Sequence, residues 1–91
     1  MWETADPEGR RVVLTFGRWR HILDRHGELA GQRGAVPEAV AHPDERLPGR
    51  KPNEEWFYGR VTRRNQWIRV VVHYEGDRGS IVTAFPRRSI P

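Results

Sequence analysis

Ninety-one residues without a cysteine make one small domain, and disulfides and thiolate zinc sites are excluded from holding it together. Lys plus Arg number 16 against 12 Asp plus Glu, for a formal net charge of +4, and every basic residue except Lys51 is arginine. Guanidinium forks match phosphate oxygens in pairs and stack on bases, so this balance suggests a polyanionic partner such as RNA, although a general preference for Arg over Lys would leave the same composition. The opening MWETADPEGR carries acids and a proline where a secretory signal needs an apolar run, and no segment approaches membrane-spanning length. The expectation is a soluble, cytoplasmic protein with no membrane partner, or a domain of a longer exported chain.

Residues 1–10 are polar and broken by Pro7 and Gly9, and are expected to form a loose lead-in. RVVLTF, residues 11–16, is β-branched and reads as a strand. Thr15 or Gly17 can cap a helix running to about His26, with Gly27 just past its end. GAVPEAVAH fits a second, shorter helix in which Pro37 suits a first helical position and Pro43 stops the continuation. Residues 44–54 read as a loop with a short edge strand around Arg46 and Leu47. The pattern then changes to period two: EWFYGRVT (55–62), WIRVVVHY (67–74) and SIVTAF (80–85) are strands joined by turns at RRNQ and EGDRG. The expected fold is α+β, with two N-terminal helices packed on a roughly four-stranded antiparallel meander, and residues 87–91 form a short basic tail.

On the first helix His26 shares the side of Phe16, Trp19, Ile22 and Leu23, whereas His21 lies opposite, beside Arg18, Arg20 and Arg25. Five residues correspond to about 140° of rotation, so the two histidines cannot join on one metal as an i, i+4 pair does. A histidine in an apolar stripe most simply serves packing with one hydrogen bond, and one among arginines most simply sits on a solvated basic face.

If Arg60 lies opposite Arg69, then Trp56, Tyr58, Arg60 and Thr62 share a sheet face with Trp67, Arg69, Val71 and His73. The other face, with Phe57, Gly59, Val61, Ile68, Val70 and Val72, is apolar and must hold the helices. An odd-length loop at EGDRG adds Ile81, Thr83 and Phe85 to the polar face, and an even one sends Thr83 to the core. Basic groups interleaved with aromatics on an open sheet are a nucleic-acid pattern, since phosphates take guanidiniums and unstacked bases take rings. Exposed sheet decoration or a dimer interface would look the same.

The order WRHILDRHGEL, AVPEAVAHPDERL, WFYGR, WIRVVVHY, SIVTAF resembles the small barnase-EndoU-colicin-RelE nuclease domains, in particular their phage-associated branch, over roughly residues 11–86. That resemblance implies two N-terminal helices on a four-stranded antiparallel sheet and cleavage of RNA through its 2′-hydroxyl, without cofactor or metal. It also implies that His21 and His26 match the helix histidines, Tyr58 the strand tyrosine and Thr83 the final-strand threonine. To these catalytic candidates chemistry adds Arg60 as a cation for the charged phosphorane and His73 as a further acid or base. Arg18, Arg69, His73, Trp56 and Trp67 are the candidates for holding substrate. The partners implied are RNA and, for a toxin of this kind, an antitoxin or immunity protein. A non-catalytic RNA-binding or protein-interaction module on the same fold is the competing expectation.

Overall fold

The computed structural model describes residues 1–61 and 66–91. Its elements in chain order are β1 (Trp2–Ala5), β2 (Arg11–Leu14), α1 (Phe16–Arg25), a single 3-10 turn (Gly27–Leu29), α2 (Ala35–Ala41), β3 (Glu45–Pro48), β4 (Glu54–Val61), β5 (Gln66–Glu75) and β6 (Arg78–Arg87). The class is α+β, but the expected four-stranded antiparallel meander beneath two N-terminal helices does not form. Two strands precede the helices, and the sheet has six strands in the order β1-β2-β6-β5-β4-β3, with β2 parallel to β6 and every other neighbour antiparallel. The chain leaves β2, crosses one sheet face as two helices, and lands at the far edge as β3. The meander from β3 to β6 then returns it to β2, and two strands so far apart in sequence can pair in parallel because no tight turn joins them.

The extra strands come from the segment that reads as a lead-in. WETA pairs with RVVL, and the DPEGR between them closes the hairpin: the Asp6 carbonyl accepts from Gly9 N–H at 2.8 Å, with Gly9 at φ +85°, and Asp6 Oδ1 accepts from the Glu8 and Arg10 amides.

Helix α1 starts where Thr15 Oγ1 accepts from the Arg18 amide at 3.1 Å, and it ends at His26, whose N–H still reaches the Ile22 carbonyl. Gly27 follows without adopting a positive φ and opens the 3-10 turn; the left-handed residue comes later, at Gly31 (φ +83°). In α2, Pro37 is the third helical residue and not the first, a position whose N–H has no intrahelical acceptor to lose.

Both helices pack on one sheet face, α2 against β1, β4 and β5 and α1 against β6. The core between them holds Val12, Leu14, Ile22, Leu29, Val36, Val40, Phe57, Ile68, Val70, Val72 and Ala84 among others, with Trp2 and Trp19 closing its margins. At ~1.5–3 kcal/mol for each large apolar side chain, this layer is the main stabilising contribution. A Cβ on Gly59 would stand 3.0 Å from Ala39 Cβ, so glycine lets α2 lie directly on β4. Phe16, expected in the apolar stripe, is 66% exposed, because as the first residue of α1 it overhangs the core; its ring meets Trp2 edge-on at 4.6 Å.

Two register expectations change. Arg60 pairs with Trp67, and Tyr58 pairs with Arg69, so β4 and β5 are displaced by two residues from the Arg60–Arg69 alignment. A shift of two keeps every side chain on its expected face. Thr62 and the first three residues of the turn expected at RRNQ (63–66) lie outside the described residues, whereas Gln66 is the first residue of β5, paired with Val61. The β5–β6 turn has two residues, Gly76 and Asp77, with Gly76 at φ +62° as a primed hairpin turn needs. That even loop puts Ile81 in the core opposite Val72, and an irregularity opposite Val71/Val72 then returns Thr83 and Phe85 to the far face.

Candidate nucleic-acid interface

The sheet face away from the helices is built by alternation. Reading across neighbouring strands, Glu45, Tyr58, Arg69 and Phe85 form one row; Leu47, Trp56, Val71 and Thr83 form the next; Arg60, Trp67 and Arg87 form the row on the other side. Tyr58 and Val71 are buried here but stand apart from the helix-side core. The face therefore carries a second, smaller packed layer.

At its centre is Arg69. Its side chain spans the row so that the guanidinium carbon lies 4.0 Å from the Trp56 ring centroid, 5.3 Å from that of Phe85 and 5.4 Å from that of Tyr58. Arg69 Nε donates to the Tyr58 hydroxyl at 2.7 Å. Arg69 is 7% exposed and Tyr58 fully buried, yet no carboxylate pairs with Arg69 among the described residues. A buried cation is normally neutralised by an ion pair. Here ring faces and one phenol oxygen surround the guanidinium, and no carboxylate among the described residues neutralises its charge. Trp56 is fixed in turn by its indole N–H, which donates to Glu54 Oε2 at 3.0 Å, and the same oxygen accepts from the Arg50 amide.

His26 reaches this face from the helix side. Beyond Ser80, β6 has no strand on its outer edge among the described residues, and α1 packs against β6. His26, at the C-terminal end of α1, thereby brings its ring to 5.6 Å from the Phe85 ring. Beneath it opens a cleft of about 310 Å³ lined by His26, Glu28, Gln66, Pro86, Arg87 and Arg88.

His26, Phe85, Arg69, Tyr58 and Trp56 thus form a chain of contacts, with Thr83 two residues from Phe85 on the same face. The other candidates lie elsewhere. His21 is half-buried on the opposite side of α1, and Arg18 is exposed in its first turn. His73 shares the sheet face but pairs with Glu54 and Ser80 two rows from Arg69, beside a cleft with Glu75, Arg78 and Ser80. Arg60 is exposed one row away, its guanidinium 4.8 Å from the Trp67 ring. Sequence reasoning assigned no site role to Phe85 or Arg87; the alternation F-P-R after T-A places both beside Thr83, but the F-P-R stretch straddles the expected end of the last strand. Among the described residues no three His, Asp or Glu side chains gather as ligands for a metal ion, and no helix is long and apolar enough to cross a membrane.

A second arginine cluster lies at the other end of the molecule. Asp6, its side chain wholly buried, accepts from Arg10 Nε and from the Tyr74 hydroxyl, each at 2.7 Å. Arg10 also reaches Glu55 at 2.7 Å and lies 3.7 Å over the Tyr74 ring, and Arg46 joins Glu8 and Glu55. Burial works to raise the Asp6 pKa, but the hydrogen bonds from Tyr74, the Arg10 amide and the Arg10 guanidinium outweigh it and hold the carboxyl below its ordinary range. Tyr74 is displaced well above the usual phenol range, by burial first and by the Asp6 carboxylate next.

No protein-family model, curated protein or solved structure matches this chain.

Proposed function

We propose that the chain acts on RNA through the sheet face opposite its helices, as a ribonuclease of the 2′-hydroxyl transphosphorylation type. The observation that carries the reading is Arg69: a nearly buried guanidinium, oriented by Tyr58, stacked between Trp56 and Phe85, and lacking a carboxylate partner among the described residues. The resemblance of residues 11–86 to barnase-EndoU-colicin-RelE domains supports the same reading. In this reaction the 2′-hydroxyl loses its proton to a base as its oxygen attacks the adjacent phosphorus, the P–O5′ bond breaks as the 5′-oxygen takes a proton from an acid, and a 2′,3′-cyclic phosphate remains. Arg69 neutralises the charge that grows on the equatorial oxygens, in a setting where a preoriented cation needs no reorganisation. Trp56 and Phe85 offer ring faces to unstacked bases. His26 transfers a proton at the margin of the Phe85 ring, and the Thr83 hydroxyl orients the phosphate. Tyr58, fully buried, is a positioning residue that acts through Arg69.

The test is cleavage of end-labelled single-stranded RNA in EDTA by wild type, His26→Ala and Arg69→Ala. Wild-type cleavage to a cyclic-phosphate end, reduced at least tenfold in both variants, is the expected result. No cleavage at high protein excess, with or without ribosomes, overturns the enzymatic reading. A second reading, an RNA-binding face that does not cut, is favoured by one observation: His26 is the only histidine in contact with this aromatic row among the described residues, whereas the reaction uses both a base and an acid. It predicts RNA affinity that falls steeply with salt, and no product.

A further inference from the structure

We infer that the cleft beneath His26 is a second phosphate subsite, with Arg87 as its principal ligand, seating the RNA phosphate next to the one at Arg69; this rests on the RNA reading above. The observation is an orphan donor. Arg87 Nε is buried and has no hydrogen-bond partner among the described residues. A desolvated guanidinium N–H without an acceptor is costly and calls for an explanation, and an anion reached by a small turn of the side chain toward the cleft would supply one. Arg87 is half-buried and lines the cleft of about 310 Å³, together with Arg88 and His26. Gln66 on the facing wall carries both a donor and an acceptor. Glu28 is the single carboxylate in the lining and forms no ion pair or hydrogen bond with Arg87, so two guanidiniums there face one acid.

The position matches the class of ligand. Arg87 follows Phe85 by two residues on β6, so its backbone is one same-face step, about 6.8 Å, along the strand from the residue whose ring flanks Arg69. Phe85, beside Arg69 and one row from Arg87, offers a ring face to the intervening base, and His26 borders both that ring and the cleft. A strand crossing from β5 to β6 would engage Arg69, then Phe85, then Arg87.

The experiment follows the Arg Nε–H and Trp indole N–H signals by NMR in wild type and Arg87→Gln, titrated with a short non-cleavable 2′-O-methyl oligoribonucleotide and, separately, with inorganic phosphate. It is joined by fluorescence measurements of oligonucleotide affinity against salt. The expected result is that the oligonucleotide shifts both the Arg87 Nε–H and the Trp56 indole signals. In Arg87→Gln the Trp56 response should persist, affinity should fall about fivefold, and the salt slope should drop by about 0.7, the value for one single-strand phosphate contact. Thermal melting confirms that the variant is folded. Arg50→Gln, on the exposed β3–β4 loop, serves as the charge control and keeps the wild-type slope. If the oligonucleotide shifts Trp56 and leaves Arg87 unmoved, the RNA reading stands and the subsite is overturned. If neither responds to oligonucleotide but phosphate shifts Arg87, the cleft takes a free anion, and both RNA assignments fail. Silence from both signals with both ligands overturns the subsite and the RNA reading together.

Discussion

Two arginine clusters in this molecule differ in what surrounds them. At one end, Arg10 contacts Asp6, Glu8 and Glu55, and Arg46 contacts Glu8 and Glu55, so each guanidinium is shared among carboxylates that the fold itself supplies. On the open sheet face, Arg69 is more deeply buried, yet it rests on ring faces and a single phenol oxygen. Where carboxylates already saturate the fork, an external anion gains little by approaching, and the cluster serves to hold strands together. Where rings hold the cation and leave its charge uncompensated, the same side chain is poised for a phosphate. Composition cannot separate the two, because both draw on the same arginine excess.

The largest effect should come from breaking the saturated cluster at its buried acid. Asp6→Ala leaves Arg10 and the Tyr74 hydroxyl without their shared acceptor and should cost roughly 3 kcal/mol, read as a lower urea midpoint at unchanged m-value. RNA affinity per folded molecule should not change, which separates the two clusters directly. The pH dependence sharpens the point. The folded-state pKa of Asp6 lies below its unfolded value near 3.8, so its contribution is complete above that value and is lost as pH falls through the lower folded one. Wild type should therefore lose stability in acid below about pH 4, and Asp6→Asn should flatten that part of the profile. Tyr74 acts at the opposite extreme: its raised pKa favours the neutral phenol, so its contribution is present below the ordinary phenol range and declines only in strong alkali.

A smaller effect is expected on the open face. Tyr58→Phe removes the oxygen that accepts from Arg69 Nε at 2.7 Å while keeping the ring. A buried donor left unpaired should lower stability by about 1–2 kcal/mol. RNA affinity should fall only severalfold, because Trp56 and Phe85 still hold the guanidinium. A loss as large as that of Arg69→Ala would mean that orientation by the phenol, and not stacking, prepares the cation.

How much of this was legible in the sequence follows from the range of the forces involved. Alternation along β4 and β5 is local, so the separation of Phe57, Ile68 and Val70 from Trp56, Tyr58 and Arg69 could be read directly, and even a register wrong by two residues preserved it. The Thr15 cap and the edge strand at Arg46 and Leu47 were local for the same reason. The parallel β2–β6 pairing was not legible, since it joins residues 11–13 to 78–80 and no turn chemistry announces it. Strand β1 was missed although DPEGR is a recognisable turn, because four polar-alternating residues carry little weight until a buried acid finds Tyr74, 68 positions away. The site was split by the same rule: Tyr58 and Arg69 meet across one hairpin, while His26 reaches Phe85 only through the packing of α1 against β6, far away in sequence.

The smallest effect should come from Arg46→Ala. Arg46 has a ring contact with Phe57 at 5.0 Å and pairs with both Glu8 and Glu55, so by count of contacts it looks as important as Arg10. Its side chain is 28% exposed and that of its partner Glu8 is 54% exposed, whereas the Asp6 side chain that anchors Arg10 is 0% exposed. Water and salt screen the first pair of charges and not the second, so the cost should be under about 1 kcal/mol and should shrink further in 0.5 M salt. Equal losses for Arg46→Ala and Asp6→Ala would show that the network acts as one unit through Glu55. In that case neutralisation by carboxylates is cooperative across β3, β4 and the β1–β2 loop, and the contrast with Arg69 is one between a connected ion network and a single stacked cation.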